Sequence, residues 1–138
     1  MFIVTDEEFD LICQQAFDSI PERFTRDIEN VAFLVEDVPR AHHLERLEDG
    51  TSIASPDNPS GHKLLLGLYS GVALTDRDGG YGLGNTPDRI TLFKEPHEDV
   101  CDSAEELQEM VRRTMVHEIG HYFGMDEDQL RDMGYGSA

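Results

Sequence analysis

The sequence is poor in cysteine, poor in basic residues and without a long apolar run, and each shortage excludes a class of protein. Two cysteines, Cys13 and Cys101, do not make a disulfide framework. One falls inside an amphipathic stripe and the other just before a helix start, so a reducing compartment is expected. No apolar segment approaches the ~18 residues of a membrane-spanning helix. The opening Met-Phe-Ile-Val-Thr-Asp-Glu-Glu lacks a basic region followed by an apolar run, which predicts a soluble, cytoplasmic protein with no membrane partner. Lysine and arginine number 11 against 29 aspartates and glutamates, a formal charge of -18. Such a surface repels phosphate backbones, which argues against nucleic acid and favours encounter with a basic peptide or partner. There is no internal repeat, and 138 residues fit one domain over 1–138, long enough to bury a core without staples.

What is present is patterned. Thr5-Asp-Glu-Glu8 has the form of a capping box, and Phe9, Ile12, Cys13, Ala16, Phe17 and Ile20 follow at helical spacing up to Pro21. This predicts a first helix packed on a sheet. Runs rich in β-formers at 30–38 (NVAFLVEDV), 64–74 (LLLGLYSGVAL) and 89–94 (RITLFK) predict at least three strands. Residues 39–62 carry Pro39, Gly50, Pro56, Pro59 and Gly61 with no sustained period and read as a long loop. Residues 75–88 read as a second, glycine-rich one. His42, His43 and His62 in the first loop are weak metal or substrate candidates, because scattered loop histidines are usually solvated. Asp102 and Ser103, with Glu105 and Glu106 three residues on, open a further helix.

That helix carries the most informative feature of the chain, His117-Glu118-Ile119-Gly120-His121. Residues four apart on a helix lie one turn above each other, so both imidazoles can face one metal ion with Glu118 beside them. Zinc held there keeps a position for water and lowers that water's pKa to about 7, and Glu118 is placed to take its proton as general base. The chemistry indicated is hydrolysis of a peptide bond. At 100° per residue, Leu107, Met110, Val111 and Thr114 form one stripe that His117, Glu118 and His121 continue, while Val116, Ile119 and Phe123 lie behind. Two imidazoles and a carboxylate buried without partners cost on the order of 1–3 kcal/mol each. A metal removes that cost. Zinc suits imidazole and carboxylate ligands best, and nickel or cobalt would satisfy the same site. A pair of ordinary core histidines is the bland alternative and ranks below metal binding.

Catalytic zinc normally takes three protein ligands. Gly124 suits a left-handed helix C-terminus that turns the chain back toward the metal, and Asp126, Glu127 and Asp128 follow it. The spacing H-E-x-x-H-x-x-G-x-x-E resembles the metzincin motif and puts Glu127 at that class's third-ligand position, so Glu127 is the expected third ligand. Asp126 stays open as a ligand or as the cap of a short final helix at 127–133, and Asp128 stays open as well. Asp132 is a remote candidate, because Asp132-Met-Gly-Tyr135-Gly136 resembles the ending of the aspzincins. Tyr135 is a candidate donor to a developing oxyanion, with a packed terminal aromatic as its plainer role.

Other segments widen the resemblance. The opening helix with Phe9 and the Ile20-Pro21 stop, NVAFLVEDVP, LGLYSGVALTDR, TPDRITLFKEP and TMVHEIGHYFGMDEDQLRDMGYG resemble the successive blocks of the minimal zincins, small single-domain bacterial zincin-like metallopeptidases. The resemblance implies an α+β, zincin-like domain with a small mixed sheet, an N-terminal helix and a buried motif helix. It also implies metal at His117 and His121, a catalytic Glu118 and an acidic ligand after Gly124. Where that family has a serine and then two acids after the turn, this chain has Asp126-Glu127-Asp128, and the loop over 40–62 transfers nothing. Two functions of different class follow. One is a zinc metallopeptidase with a peptide or protein substrate; the other is a metal-binding interaction module that has lost turnover. A metal-dependent RNA-processing hydrolase is a weaker third, opposed by the charge of -18. For the peptidase, an extended peptide is expected beside an exposed strand edge offered by LLLGLYSG or RITLF.

Overall fold

The computed structural model describes residues 1–56, 61, 63–71 and 88–132, leaving aside the side chains of Glu48 and Glu127. Of the loop expected over 75–88, all but its last residue lies outside the described residues, as do His62 and Tyr135, and Asp88 instead opens a strand. Helix α1 spans Asp6–Ser19 and starts as its sequence requires. The Thr5 hydroxyl accepts from the Glu8 N–H at 3.1 Å, and the Glu8 carboxylate accepts from the Thr5 N–H at 3.3 Å. A cap of this kind stabilises a helix by about 1 kcal/mol. Phe9, Cys13 and Ala16 form its buried face, and the helix stops at Ile20, before Pro21, after which a single helical turn, α2 (Glu22–Thr25), follows.

Strands β1 (Val31–Glu36), β2 (Thr51–Ile53), β3 (Leu64–Ser70) and β4 (Asp88–Phe93) make one mixed sheet in the order β1-β4-β3-β2. β1 runs parallel to β4, while β3 is antiparallel to both β4 and β2. Three of these strands lie where the β-rich runs predict them, and the α+β class with a mixed sheet holds. The expectation that LLLGLYSG or RITLF offers a free edge does not. β3 and β4 are the two interior strands, and the edges of the described sheet are β1 and β2.

The loop predicted over 39–62 is also corrected. It contains helix α3 (Ala41–Leu44), a 3-10 turn over Leu47–Asp49, and β2. These pieces are too short to carry a period of their own and are held by what they pack on. Helix α4 (Lys94–Val100) follows β4 with no intervening loop. Pro96 falls in its first turn, where a missing N–H removes no helical hydrogen bond. Glu98 of α4 fastens the N-terminal segment, its carboxylate accepting the Val4 N–H at 2.8 Å and its carbonyl the Phe2 N–H at 3.0 Å.

Helix α5 (Ala104–Tyr122) packs against α1 and against β3 and β4 of the sheet, and helix α6 (Glu127–Asp132) ends the described chain. The main core joins Phe9 and Ala16 of α1 to Leu107, Val111, Met115 and Ile119 of α5 and to Ile90 and Leu92 of β4. Phe93, next along β4, points the other way into a smaller cluster with Leu65 and Leu68, as strand alternation requires. Cys13 and Cys101 are both buried free thiols. Burial, seconded by Asp10, pushes Cys13 up to about 12, and burial with Glu106 and Asp102 pushes Cys101 up to about 11. Neither is a nucleophile near neutral pH. Among the described residues no helix is long and apolar enough to cross a membrane.

Candidate metal centre

Helix α5 is started by Ser103, whose hydroxyl accepts the Glu106 N–H at 3.1 Å, and it runs for 19 residues. The apolar stripe predicted on it is buried at Leu107, Val111 and Thr114, and it delivers His117 and Glu118 at 1% and 0% exposure. His121 is half-buried. One potential ligand atom from each of His117, Glu118 and His121 lies within 4.8 Å of the others, a span small enough for one ion. Nickel, cobalt or zinc would suit such a donor set.

The orientation of His121 has a local cause. Gly124 takes φ 85°, the left-handed conformation expected of it. Its N–H donates to the His121 carbonyl and the Met125 N–H to the Gly120 carbonyl, both at 2.9 Å. The turn thereby brings the Met125 carbonyl back to within 3.0 Å of His121 Nδ1. A carbonyl can only accept, so Nδ1 carries the proton and Nε2 keeps a lone pair for a metal. This is the fit an ion of the zinc type requires of an imidazole.

Glu118 is held from the sheet. Its Oε1 accepts the Tyr69 N–H of β3 at 2.8 Å, and its Oε2 accepts the Thr51 hydroxyl of β2 at 2.6 Å. The latter oxygen is 3.9 Å from His117 Nε2. The Tyr69 carbonyl accepts from Arg46 Nη2 at 3.1 Å, and the Ser70 hydroxyl accepts from Arg46 Nη1 at the same distance. Beyond Gly67, where β2 stops pairing, side chains of Glu118 and Arg46 therefore take up the groups of β3. The Tyr69 phenol donates to buried Asp88 at 2.7 Å, fixing β3 to the start of β4. Thr51, Tyr69 and Arg46 are site neighbours that sequence reasoning missed. Tyr69 sits in a strand it did identify; Thr51 and Arg46 lie in the segment read as a loop and leave no local signal.

Among the acids after Gly124, Asp126 caps α6. Its carboxylate accepts the Gln129 N–H, and the Gln129 side chain accepts the Asp126 N–H, each at 2.8 Å. Asp128 pairs with Arg131 at 3.0 Å, and Asp126, Asp128 and Asp132 are all exposed. Glu127 is the first residue of α6, and its side chain lies outside the described ones. α6 rests on α5 at Gly120, where Leu130 fills the space a side chain would take.

Of the other histidines among the described residues, two are engaged by the fold. His43 is buried against Phe93, its Nδ1 accepting the Arg40 N–H at 3.0 Å and its Nε2 3.4 Å from Glu36. Burial, and then neighbouring His42, lower its pKa. His42 itself is exposed. His97, which the sequence did not single out, is fully buried, with Nδ1 2.8 Å from the Phe93 carbonyl and Nε2 3.0 Å from the Thr114 hydroxyl. Burial pushes its pKa down to about 4. Neutral, with both nitrogens engaged, it braces α4 against α5 one turn before His117.

The family profile described as zincin-like metallopeptidase matches residues 28–136, in agreement with this geometry. Among solved structures, a conserved hypothetical protein from Thermo thermophilus is similar at 20% identity and a TM-score of 0.48. The match covers 87% of this chain and 94% of that one. No curated protein matches the sequence.

Proposed function

The chain belongs to the zincin-like metallopeptidase family, and we propose that it is a zinc-dependent peptidase whose ion is held by His117, His121 and Glu127 and whose general base is Glu118. The observation that carries this reading is the convergence of His117, Glu118 and His121 on one helical face, the first two buried and the third half-buried. When bound, a divalent ion supplies Lewis-acid polarisation of a carbonyl and a water acidic enough to lose its proton near neutral pH. Glu118 accepts that proton on a carboxylate oxygen. An ionised carboxylate offers about four acceptor sites, and the Tyr69 N–H and the Thr51 hydroxyl occupy one on each oxygen. These two donors set the direction of the carboxylate and satisfy a charge that is otherwise fully enclosed. The protonated Glu118 then returns its proton to the leaving amine. His121 contributes through the Met125 carbonyl, which holds its ring in the ligating tautomer.

Peptide substrates in extended form bind by pairing with a strand edge. The described edge next to Glu118 is that of β2, whose Thr51 touches the proposed base. Substrate backbone docks there in this reading, and the charge of -18 favours basic peptides on encounter.

The test is an unbiased peptide library incubated with zinc-loaded parent and with Glu118→Gln. The parent should cleave; Glu118→Gln should keep stoichiometric zinc while hydrolysis falls by the ~10²–10⁴ of a lost general base. Replacing both His117 and His121 with alanine should abolish zinc uptake. Equal cleavage by parent and Glu118→Gln, or zinc uptake without any cleavage, would overturn the peptidase and leave a metal-binding interaction module.

A further inference from the structure

Glu118 stands close enough to both imidazoles to join them as a ligand, since one of its oxygens belongs to the group of three donor atoms that lie within 4.8 Å of one another. A dication between His117 and His121 attracts that carboxylate strongly in a buried site. A carboxylate oxygen that ligates has committed its lone pair to the ion and is a poorer proton acceptor. The proposed function therefore needs a force that keeps Glu118 back.

Two donors supply one. The Tyr69 N–H is backbone in an interior strand and acts as a fixed pivot for Oε1. The Thr51 hydroxyl grips Oε2, which is the oxygen 3.9 Å from His117 Nε2. At 2.6 Å its bond lies in the short range typical of a hydroxyl donating to an ionised carboxylate. Rotation of the carboxylate toward the histidines about the Tyr69 pivot has to break that bond. A second observation concerns how Thr51 comes to point inward. The β2–β3 pairing is irregular between Thr51 and Ser52, and both residues are only 8% exposed. Breaks of this kind re-aim a side chain out of simple alternation.

We propose that Thr51 is a positioning residue whose hydroxyl holds Glu118 away from the ion at His117 and His121, keeping it a base and preventing it from becoming a ligand. The inference rests on the metal site proposed above and adds a role for the strand that packs on it.

Cobalt(II) is the probe, read by visible absorption and by competition for the ion, with thermal unfolding recorded in parallel. The proteins are the parent, Thr51→Val, Thr51→Ser, Glu118→Gln and the Thr51→Val/Glu118→Gln pair. Thr51→Val keeps the shape and removes the donor. It should change the cobalt absorption and tighten cobalt binding roughly tenfold, the lower end of effects from outer-shell partners. The direction is diagnostic, because simple loss of a supporting hydrogen bond weakens metal binding. Thr51→Ser should resemble the parent, and the pair should resemble Glu118→Gln alone. If Thr51→Val does not fold, Thr51→Ala is read in the same way. Absorption and affinity unchanged in Thr51→Val, weaker binding there, or a change that survives Glu118→Gln would overturn the inference alone. No cobalt uptake by the parent, or uptake indifferent to His117 and His121, would overturn the metal-site reading and the inference with it.

Discussion

Gly120, between the two histidines of the motif, is where a single methyl group should separate stability from metal affinity. A Cβ built there lies 2.4 Å from Leu130 Cδ2 and 3.3 Å from its Cγ. Leu130 is 1% exposed, so it has no solvent-facing rotamer to escape into at low cost. Overpacking of this sort costs ~1–3 kcal/mol. Alanine in place of glycine inside a helix returns about 0.5–1 kcal/mol. The net loss for Gly120→Ala is therefore between about 0 and about 2.5 kcal/mol, a fall of up to roughly 9 °C in melting temperature. The strain has a cheap outlet, because α6 is a six-residue helix whose described buried anchor is Leu130. α6 should lift from α5, taking Glu127 with it. Zinc affinity, measured by competition with a chromophoric chelator, should drop roughly 10–100-fold, the range seen when the support of a metal site is disturbed. Adding Leu130→Ala makes room for the methyl and should restore part of the affinity while lowering the melting temperature further. Parent-like zinc affinity in Gly120→Ala, alongside a clear loss in Glu127→Gln, would refute the claim that the Gly120–Leu130 contact is what presents Glu127.

Two further outcomes are expected. Glu127→Gln should weaken zinc binding by more than Asp126→Asn, which preserves the cap of α6, or Asp128→Asn, which loses only an exposed pair with Arg131; equal effects at all three would remove Glu127 as the third ligand. His97 makes folding depend on pH: burial lowers its pKa from 6.5 to about 4, so the unfolded chain takes up a proton first as pH falls. Its contribution is complete above pH 6.5 and is lost through the window down to 4, about 3 kcal/mol in all, so the stability gap between metal-free parent and His97→Leu in urea should shrink by that amount between pH 7 and pH 4. A gap constant with pH would mean that His97 is not held neutral.

The parts of this fold that can be read from sequence are those whose cause is local. Helix α1 is announced by its capping box and a six-position apolar stripe, and both are found. The strands β1, β3 and β4 are long enough for β-branched and aromatic enrichment to show. Helix α5 combines a capped start with a stripe that ends in the motif, so much of its buried face could be assigned, though Met115 and Tyr122, both buried, were not and Met110 is only half-buried. What failed to show is short or abrupt. Helix α3 has four residues and β2 three, too few to express a period, and neither would persist without its neighbours. Helix α4 begins in the residue after β4 ends, so a single apolar run, RITLFK, spans a change of structure that no turn residue marks. The edge assigned to LLLGLYSG or RITLF failed for a related reason. Which strand lies outermost depends on where the others pair, and β2, the strand that covers β3, was not seen.

The same division runs through the site. The two proposed histidine ligands lie four residues apart on a capped helix and require nothing from the rest of the chain, and the tautomer of His121 is settled within four residues by the Gly124 turn. The proposed base is different. Glu118 follows His117 in sequence, yet its carboxylate is aimed by Tyr69 and Thr51, 49 and 67 residues away. That aim exists only in the register Thr51↔Gly67, and a slip of one residue in β2 would turn the hydroxyl to the opposite face of the sheet. In the proposed reading the two histidine ligands are thus encoded in five consecutive letters, whereas keeping the acid between them a base is encoded in strand pairing. A chain that keeps the motif but loses that register should still take up the ion, with three ligands from one helix and without hydrolysis, which is the behaviour expected of the interaction module rather than of the peptidase.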